Sequence, residues 1–256
     1  MADMAIAREK ERNSAGAVAG ASAKPKTPQS NFTPAKTKKE AVAYAKKELG
    51  FQTVSYGTTM DIETINHINK QVADIQAKYP ETKGAVQELK TMKSQSAYAQ
   101  ITTDNTGAMT FQVSSSIYGS GMKAVEQSYN ADRRSGFHPK GTSAKDIVWH
   151  EYGHVICGIH TKKAVGVSAN KTINNSDVDK RLEFMSNKKS GKWENSIAKK
   201  AASDLGISVK DLSKGISRYA EKNVKELFAE AFAEFNGSKN PSKECIAIMK
   251  AAGIFG

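Results

Sequence analysis

The sequence has two cysteines, Cys157 and Cys245, which are too few for a disulfide framework and are not in C-x-x-C spacing. Free thiols in a reducing compartment are therefore expected. It also has no run of about 18 apolar residues, the length a spanning helix needs, so no membrane span is expected. A secretory signal is missing in all but outline. Ala15-Gly16-Ala17-Val18-Ala19-Gly20-Ala21 follows Arg8, Lys10 and Arg12, but the run contains Ala and Gly in place of Leu, and Glu9 and Glu11 interrupt the positive region. A cytoplasmic or virion-associated location is expected, with no cleaved signal. Proline is scarce, and half of it, Pro25, Pro28 and Pro34, falls before residue 37.

What is present is one core's worth of apolar residues in a basic chain. At 256 residues and 39% hydrophobic, the chain can bury one sizeable core and carry a tail. The net charge of +12 would suit an acidic partner, but the lysines are scattered rather than massed in one stripe, so charge alone points only weakly to nucleic acid. Residues 1–36 are rich in Ala, Lys, Ser, Thr and Pro and poor in large apolar side chains. They are expected to be a flexible basic tail that contacts a particle or nucleic acid, with a single domain over residues 37–256.

Periodicity sketches that domain. Thr37 to Leu49 predicts a helix stopped by Gly50, and Asp61 caps a clear amphipathic helix carrying Ile62, Ile65, Ile68, Val72 and Ile75 before Pro80. His67 lies off that stripe and reads as a surface histidine. Val86, Leu89 and Met92, spaced by three, predict a second helix over 82–92. The period then changes to two. Tyr98 to Thr102 and Met109 to Ser115 predict a hairpin around Asp104-Asn105-Thr106-Gly107, with Met109, Phe111 and Val113 on the buried face. His138, before Pro139, reads as a loop residue. Residues 161–190 read as loops with one short helix over 178–185. Helices follow over 193–205, over 207–216 with Ser208 as cap, and over 242–252.

The chemistry is concentrated in His150-Glu151-Tyr152-Gly153-His154, an H-E-x-x-H within the apolar run 146–156. On a helix, side chains four apart share a face, so the two imidazoles project together with Glu151 beside them. Two neutral imidazoles hold Zn2+, and the carboxylate serves as general base toward the attacking water. A catalytic zinc commonly takes a third protein ligand. His160 stands six residues after His154, as in H-E-x-x-H-x-x-G-x-x-H, but Cys157 occupies the position where that pattern needs Gly. The alternative is the helix 224–235, where Leu227, Phe228, Ala231, Phe232 and Phe235 form a core stripe and Glu226, Glu230 and Glu234 form a row of acids. Such a helix can bring one carboxylate to zinc and another, one turn on, to a ligand imidazole.

The combination of H-E-x-x-H with a downstream helical E-x-x-x-E resembles the gluzincin metallopeptidases. With Tyr219 seven residues before Glu226, it is similar to the catalytic domain of anthrax lethal factor and its relatives, phage-encoded proteins among them. The resemblance implies an α+β zincin-like domain in which His150, His154 and Glu226 bind zinc, Glu151 is the general base, Glu230 supports the site from behind and Tyr219 donates to the oxyanion or leaving group. The implied activity is zinc-dependent hydrolysis of a protein or peptide substrate. The Met109 to Ser115 strand is the candidate edge along which that substrate lies. The competing reading is a non-catalytic phage particle or assembly protein that retains a zinc site, with its basic tail on nucleic acid or capsid.

Overall fold

The computed structural model describes residues 30–254. The flexibility and contacts expected of residues 1–29 lie outside the described residues. Residues 30–36 do not behave as tail. The Ser30 amide and hydroxyl both donate to Asp74 Oδ1, the Ala35 amide donates to Asn66 Oδ1 at 2.9 Å, and Phe32 packs edge-on against Tyr44. The domain therefore starts before residue 37. One aromatic and a few paired backbone groups suffice to hold this segment down, which its composition conceals.

Thr37 opens helix α1 (Lys38–Lys47) by accepting from the Glu40 amide. After strand β1 (Thr53–Ser55), Asp61 caps α2 (Ile62–Lys78) through a 2.7 Å hydrogen bond from the Thr64 amide. The predicted stripe is buried, with Ile65, Ile68, Val72 and Ile75 inaccessible to solvent. Helix α2 is also flanked on a second side by the later H-E-x-x-H helix. His67 is consequently half-buried rather than on the surface, and burial, helped by the charges of Lys70 and Lys145, pushes its pKa down to about 4.

The segment expected to be a second helix is strand β2 (Val86–Met92). It pairs in parallel with β1 on one side and, on the other, with β4 (Met109–Ser114), which in turn pairs antiparallel with β3 (Ala99–Thr103). A register shift between Val86 and Glu88 turns Val86 and Leu89 to the same face although they are three apart. The bulge thus gives a strand the spacing of a helix. The hairpin itself forms as predicted. Asp104 Oδ1 accepts from the amides of Thr106 and Ala108, and Gly107 takes the left-handed conformation at φ 78°. The sheet order is β1-β2-β4-β3. The expected edge strand, β4, is therefore interior, and β3 is the edge beside the site. The alternation of Met109, Phe111 and Val113 reports burial of one face, which interior and edge strands share.

A single turn, α3 (Ser115–Tyr118), leads to α4 (Met122–Arg134) and then to the H-E-x-x-H helix α5 (Asp146–Ala164). The polar stretch that follows is more helical than its composition suggests. Helix α6 runs over Val178–Ser190, with Phe184 its one buried residue, and Gly191 in the left-handed conformation joins it to α7 (Lys192–Leu205). The remaining helices are α8 (Val209–Ile216), capped by Ser208, then α9 (Val224–Gly237) and α10 (Lys243–Ala251), capped by Ser242. The fold is α+β, and the C-terminal half is helical as expected. Among the described residues no helix is long and apolar enough to cross a membrane.

The last acid of the α9 row has a structural task. Glu234, buried beside the start of α10, accepts from the Ser242 amide at 2.7 Å and from its hydroxyl at 3.1 Å. Burial outweighs these bonds and pushes its pKa up to about 7. A carboxyl group whose pKa rises on folding favours the fold fully below its ordinary value, and that contribution is lost as pH climbs through 7. Glu234→Gln should therefore be more stable than wild type at pH 8, by up to about 3 kcal/mol, with the difference closing by about pH 4. Paired thermal melts at the two pH values check this, and an equal difference at both would refute it.

Candidate metal centre

Helix α5 is buried along almost its whole length, and it meets α9 at unusually close range. The reason is Gly153, the fourth residue of the H-E-x-x-H. A Cβ built there would lie 2.8 Å from the Ala229 Cα, so only glycine permits the two backbones to approach this closely. Asn223 fixes the start of α9 by accepting from the amides of Lys225 and Glu226, and this sets the first-turn carboxylate opposite the histidines.

The result is a convergence of three side chains. Glu226 Oε2 lies 3.2 Å from His150 Nε2 and 3.2 Å from His154 Nε2, and all the donor atoms fall within 4.8 Å of one another. Tetrahedral ligands about 2.0–2.1 Å from a zinc ion stand roughly 3.3 Å apart, so both nitrogen–oxygen distances fit such a set. Glu226 Oε2 is buried and makes no hydrogen bond with acceptable geometry, which leaves it an acceptor that a cation would satisfy. Burial alone would raise its pKa, but the two histidines outweigh burial and hold it well below the ordinary carboxylate range. These residues can hold a divalent metal.

One turn further along α9, Glu230 backs the first histidine. Its Oε1 lies 2.8 Å from His150 Nδ1 and 3.4 Å from His138 Nδ1, while its Oε2 accepts from Ser217 Oγ at 2.8 Å. Burial opposes charge on this carboxylate, and the hydrogen bonds from His138 and His150 more than compensate, so it stays ionised. A carboxylate on Nδ1 leaves Nε2 of His150 directed at the centre. His138 is therefore no plain loop residue. It is buried, stacked on Tyr129 with ring centres 4.4 Å apart, and tied to Glu230. The sequence offers His138 only as a loop residue and does not mark Ser217 at all. Their distance from Glu230 along the chain gives no periodic signal.

Glu151 lies on the same turn as His150, with Oε2 buried and unpartnered. Burial raises its pKa, against the lowering effect of His150 and His154 and of the Ile101 backbone amide on β3. Tyr219 reaches the centre from the other side. Its ring lies 5.8 Å from that of His150, its amide donates to Phe137 O, and burial together with Glu226, Glu151 and Glu230 keeps the phenol protonated. His160 is elsewhere. Helix α5 runs unbroken through Cys157 and Gly158, and six residues at about 100° each turn His160 roughly 120° away from the His154 face. It stacks on Trp193 instead, with ring centres 4.0 Å apart.

The centre opens into a cleft of about 520 Å³ floored by α5 and bordered by β3, from Ala99 to Thr103. A smaller recess of about 290 Å³ continues past Tyr98, Tyr129 and Phe137. No protein-family model, curated protein or solved structure matches this chain. The functional reading therefore rests on the site itself.

Proposed function

We propose that the protein is a zinc-dependent endopeptidase of the gluzincin type, with His150, His154 and Glu226 as ligands. The observation that carries this reading is the meeting of His150 Nε2, His154 Nε2 and an otherwise unpartnered Glu226 Oε2 directly beside Glu151, at the floor of an open cleft. Neither half would suffice alone. Three ligands could be structural, but a structural site usually closes its fourth position and has no use for a buried carboxylate with one oxygen left unpaired next to it.

When bound, zinc supplies a Lewis acid and lowers the pKa of a coordinated water from about 15.7 toward 7. The chain's own residues do the rest. Glu151 removes the proton of the attacking water and delivers it to the amine of the leaving half of the peptide. Tyr219 donates its phenolic hydrogen to the oxygen on which negative charge develops. Glu230, with Ser217 and His138 behind it, fixes the orientation of the His150 ring. The free edge of β3 offers backbone groups to an extended substrate, in the manner of an added strand.

Treatment with a zinc chelator should abolish cleavage of an unstructured protein such as casein, and added zinc should restore it. Cleavage that survives chelation would refute the reading. Tyr219→Phe should lower kcat by about 10²- to 10³-fold, the usual cost of one oxyanion donor, with KM little changed. A kcat within threefold of wild type would remove Tyr219 from the mechanism.

A further inference from the structure

We infer that the end of the cleft beside Thr103 is a subsite for an acidic substrate side chain, Asp or Glu, within about two residues of the scissile bond. The inference rests on the peptidase reading and names the substrate class for that site.

Three lysines from separate segments line the cleft: Lys188 from α6 and Lys225 from the first turn of α9 are close to each other at this end, and Lys222, from the turn that precedes α9, stands nearer the reacting centre. None of the ion pairs among the described residues involves them. Lys188 Nζ donates to the carbonyl of Thr103, which fixes an ammonium group at the end of the edge strand. Lys222 Nζ stands 5.1 Å from the centre of the Tyr219 ring and so overhangs the reacting region. Burial and the Lys225 charge lower the Lys188 pKa and outweigh the opposing pull of Asp104, as expected where two ammonium groups are brought together. An incoming carboxylate relieves that repulsion.

Outside the reacting centre, two carboxylates oppose these lysines. Glu194 is buried on the cleft floor near the Cys157 thiol, and Asp104 faces Lys188 from the β3–β4 turn. Glu151 and Glu226 belong to the reacting centre. The other recess is different in kind, because Asp132 and Arg218 offset each other there among aromatic rings. The cleft is thus polarised along β3, with its positive end at Thr103.

The position follows from the strand. Glu151 and Ile101 border the same stretch of the cleft, with the Ile101 amide beside the carboxylate, which on the peptidase reading puts the scissile bond level with Ile101. Thr103 is two residues on, roughly 6.6 Å at about 3.3 Å per residue. An acidic side chain that far from the bond, on one side only, meets the ammonium groups of Lys188 and Lys225, with Lys222 between them and the reacting centre. The side on which it is preferred reports the direction in which the substrate runs along β3.

The test compares peptides that carry Asp, Glu, Ala, Lys or Arg at each of the three positions flanking the cleaved bond. Wild type should cleave the Asp and Glu peptides with kcat/KM about tenfold or more above the Lys and Arg peptides at one position. The double variant Lys188→Glu/Lys225→Glu should reverse that ratio. Because the ratio is taken within each enzyme, a change in overall rate does not disturb it. If the double variant fails to fold, Lys222→Glu, an exposed change, should reduce the preference. Fluorescence anisotropy with the Glu151→Gln protein and the same labelled peptides gives a readout free of turnover: the acidic peptides should bind more tightly, and the advantage should shrink with salt. Equal treatment of acidic and basic peptides, or a preference for the basic ones directed by Glu194, overturns the inference. If no peptide is cleaved, the peptidase reading fails, and the anisotropy comparison still decides the charge preference.

Discussion

Glu151→Gln should lower peptide hydrolysis by about 10²- to 10⁴-fold, the usual contribution of a positioned general base, while bound zinc stays at the wild-type level. The substitution keeps size and shape, so α5 and its contacts with α9 should persist. What it removes is the capacity to take a proton. Glu151 Oε2 is buried with no hydrogen-bond partner, so a glutamine that keeps its oxygen toward the Ile101 amide breaks no internal bond. Loss of activity with full zinc content and an unchanged melting temperature would assign the base. Activity near that of wild type would show that the proton leaves by another route, and a parallel loss of zinc would mean that Glu151 supports the ligands rather than the reaction.

Gly153→Ala should destabilise the fold and loosen the centre together. The added Cβ would stand 2.8 Å from the Ala229 Cα and 3.2 Å from its Cβ, and neither a backbone atom nor a helical alanine can rotate away. Helices α5 and α9 must separate. Overpacking of this kind costs about 1–3 kcal/mol, and in a domain of this size each kcal/mol lowers Tm by roughly 2–4 °C. The separation also moves Glu226 away from both imidazoles, so zinc affinity should fall along with stability. Calorimetry with and without zinc separates the two effects: the stabilisation conferred by a fixed excess of zinc should be smaller in the variant. An unchanged Tm would mean that the helices do not pack as closely as described, and a lower Tm with undiminished zinc stabilisation would uncouple the approach from the site.

The residues that meet at the centre were legible because their chemistry is local. His150 and His154 share a face by helical spacing alone, and the apolar stripe of α9 places Glu226 and Glu230 on a packed helix. The close approach was legible only in hindsight, since Gly153 reads as an unremarkable x in H-E-x-x-H until Ala229 is seen against it. His138 and Ser217 stayed hidden because both reach Glu230 across the fold rather than along a helix. The sheet was half read. Alternation found the β3–β4 hairpin, but nothing in the pattern of β4 shows that β2 covers its other side, and the bulge in β2 made a strand look helical. Residues 30–36 look like tail for a similar reason: their anchors are two hydrogen bonds to Asp74 and two with Asn66, which leave no trace in composition.

Zinc stoichiometry is the most direct test of the central claim that His150, His154 and Glu226 form one metal centre. Metal analysis of protein purified without chelator and dialysed against excess zinc-free buffer should find close to one zinc per wild-type chain. Glu226→Ala should lose it, and His160→Ala should retain it. A wild-type chain without zinc, or loss of zinc in His160→Ala while Glu226→Ala keeps it, would contradict the account.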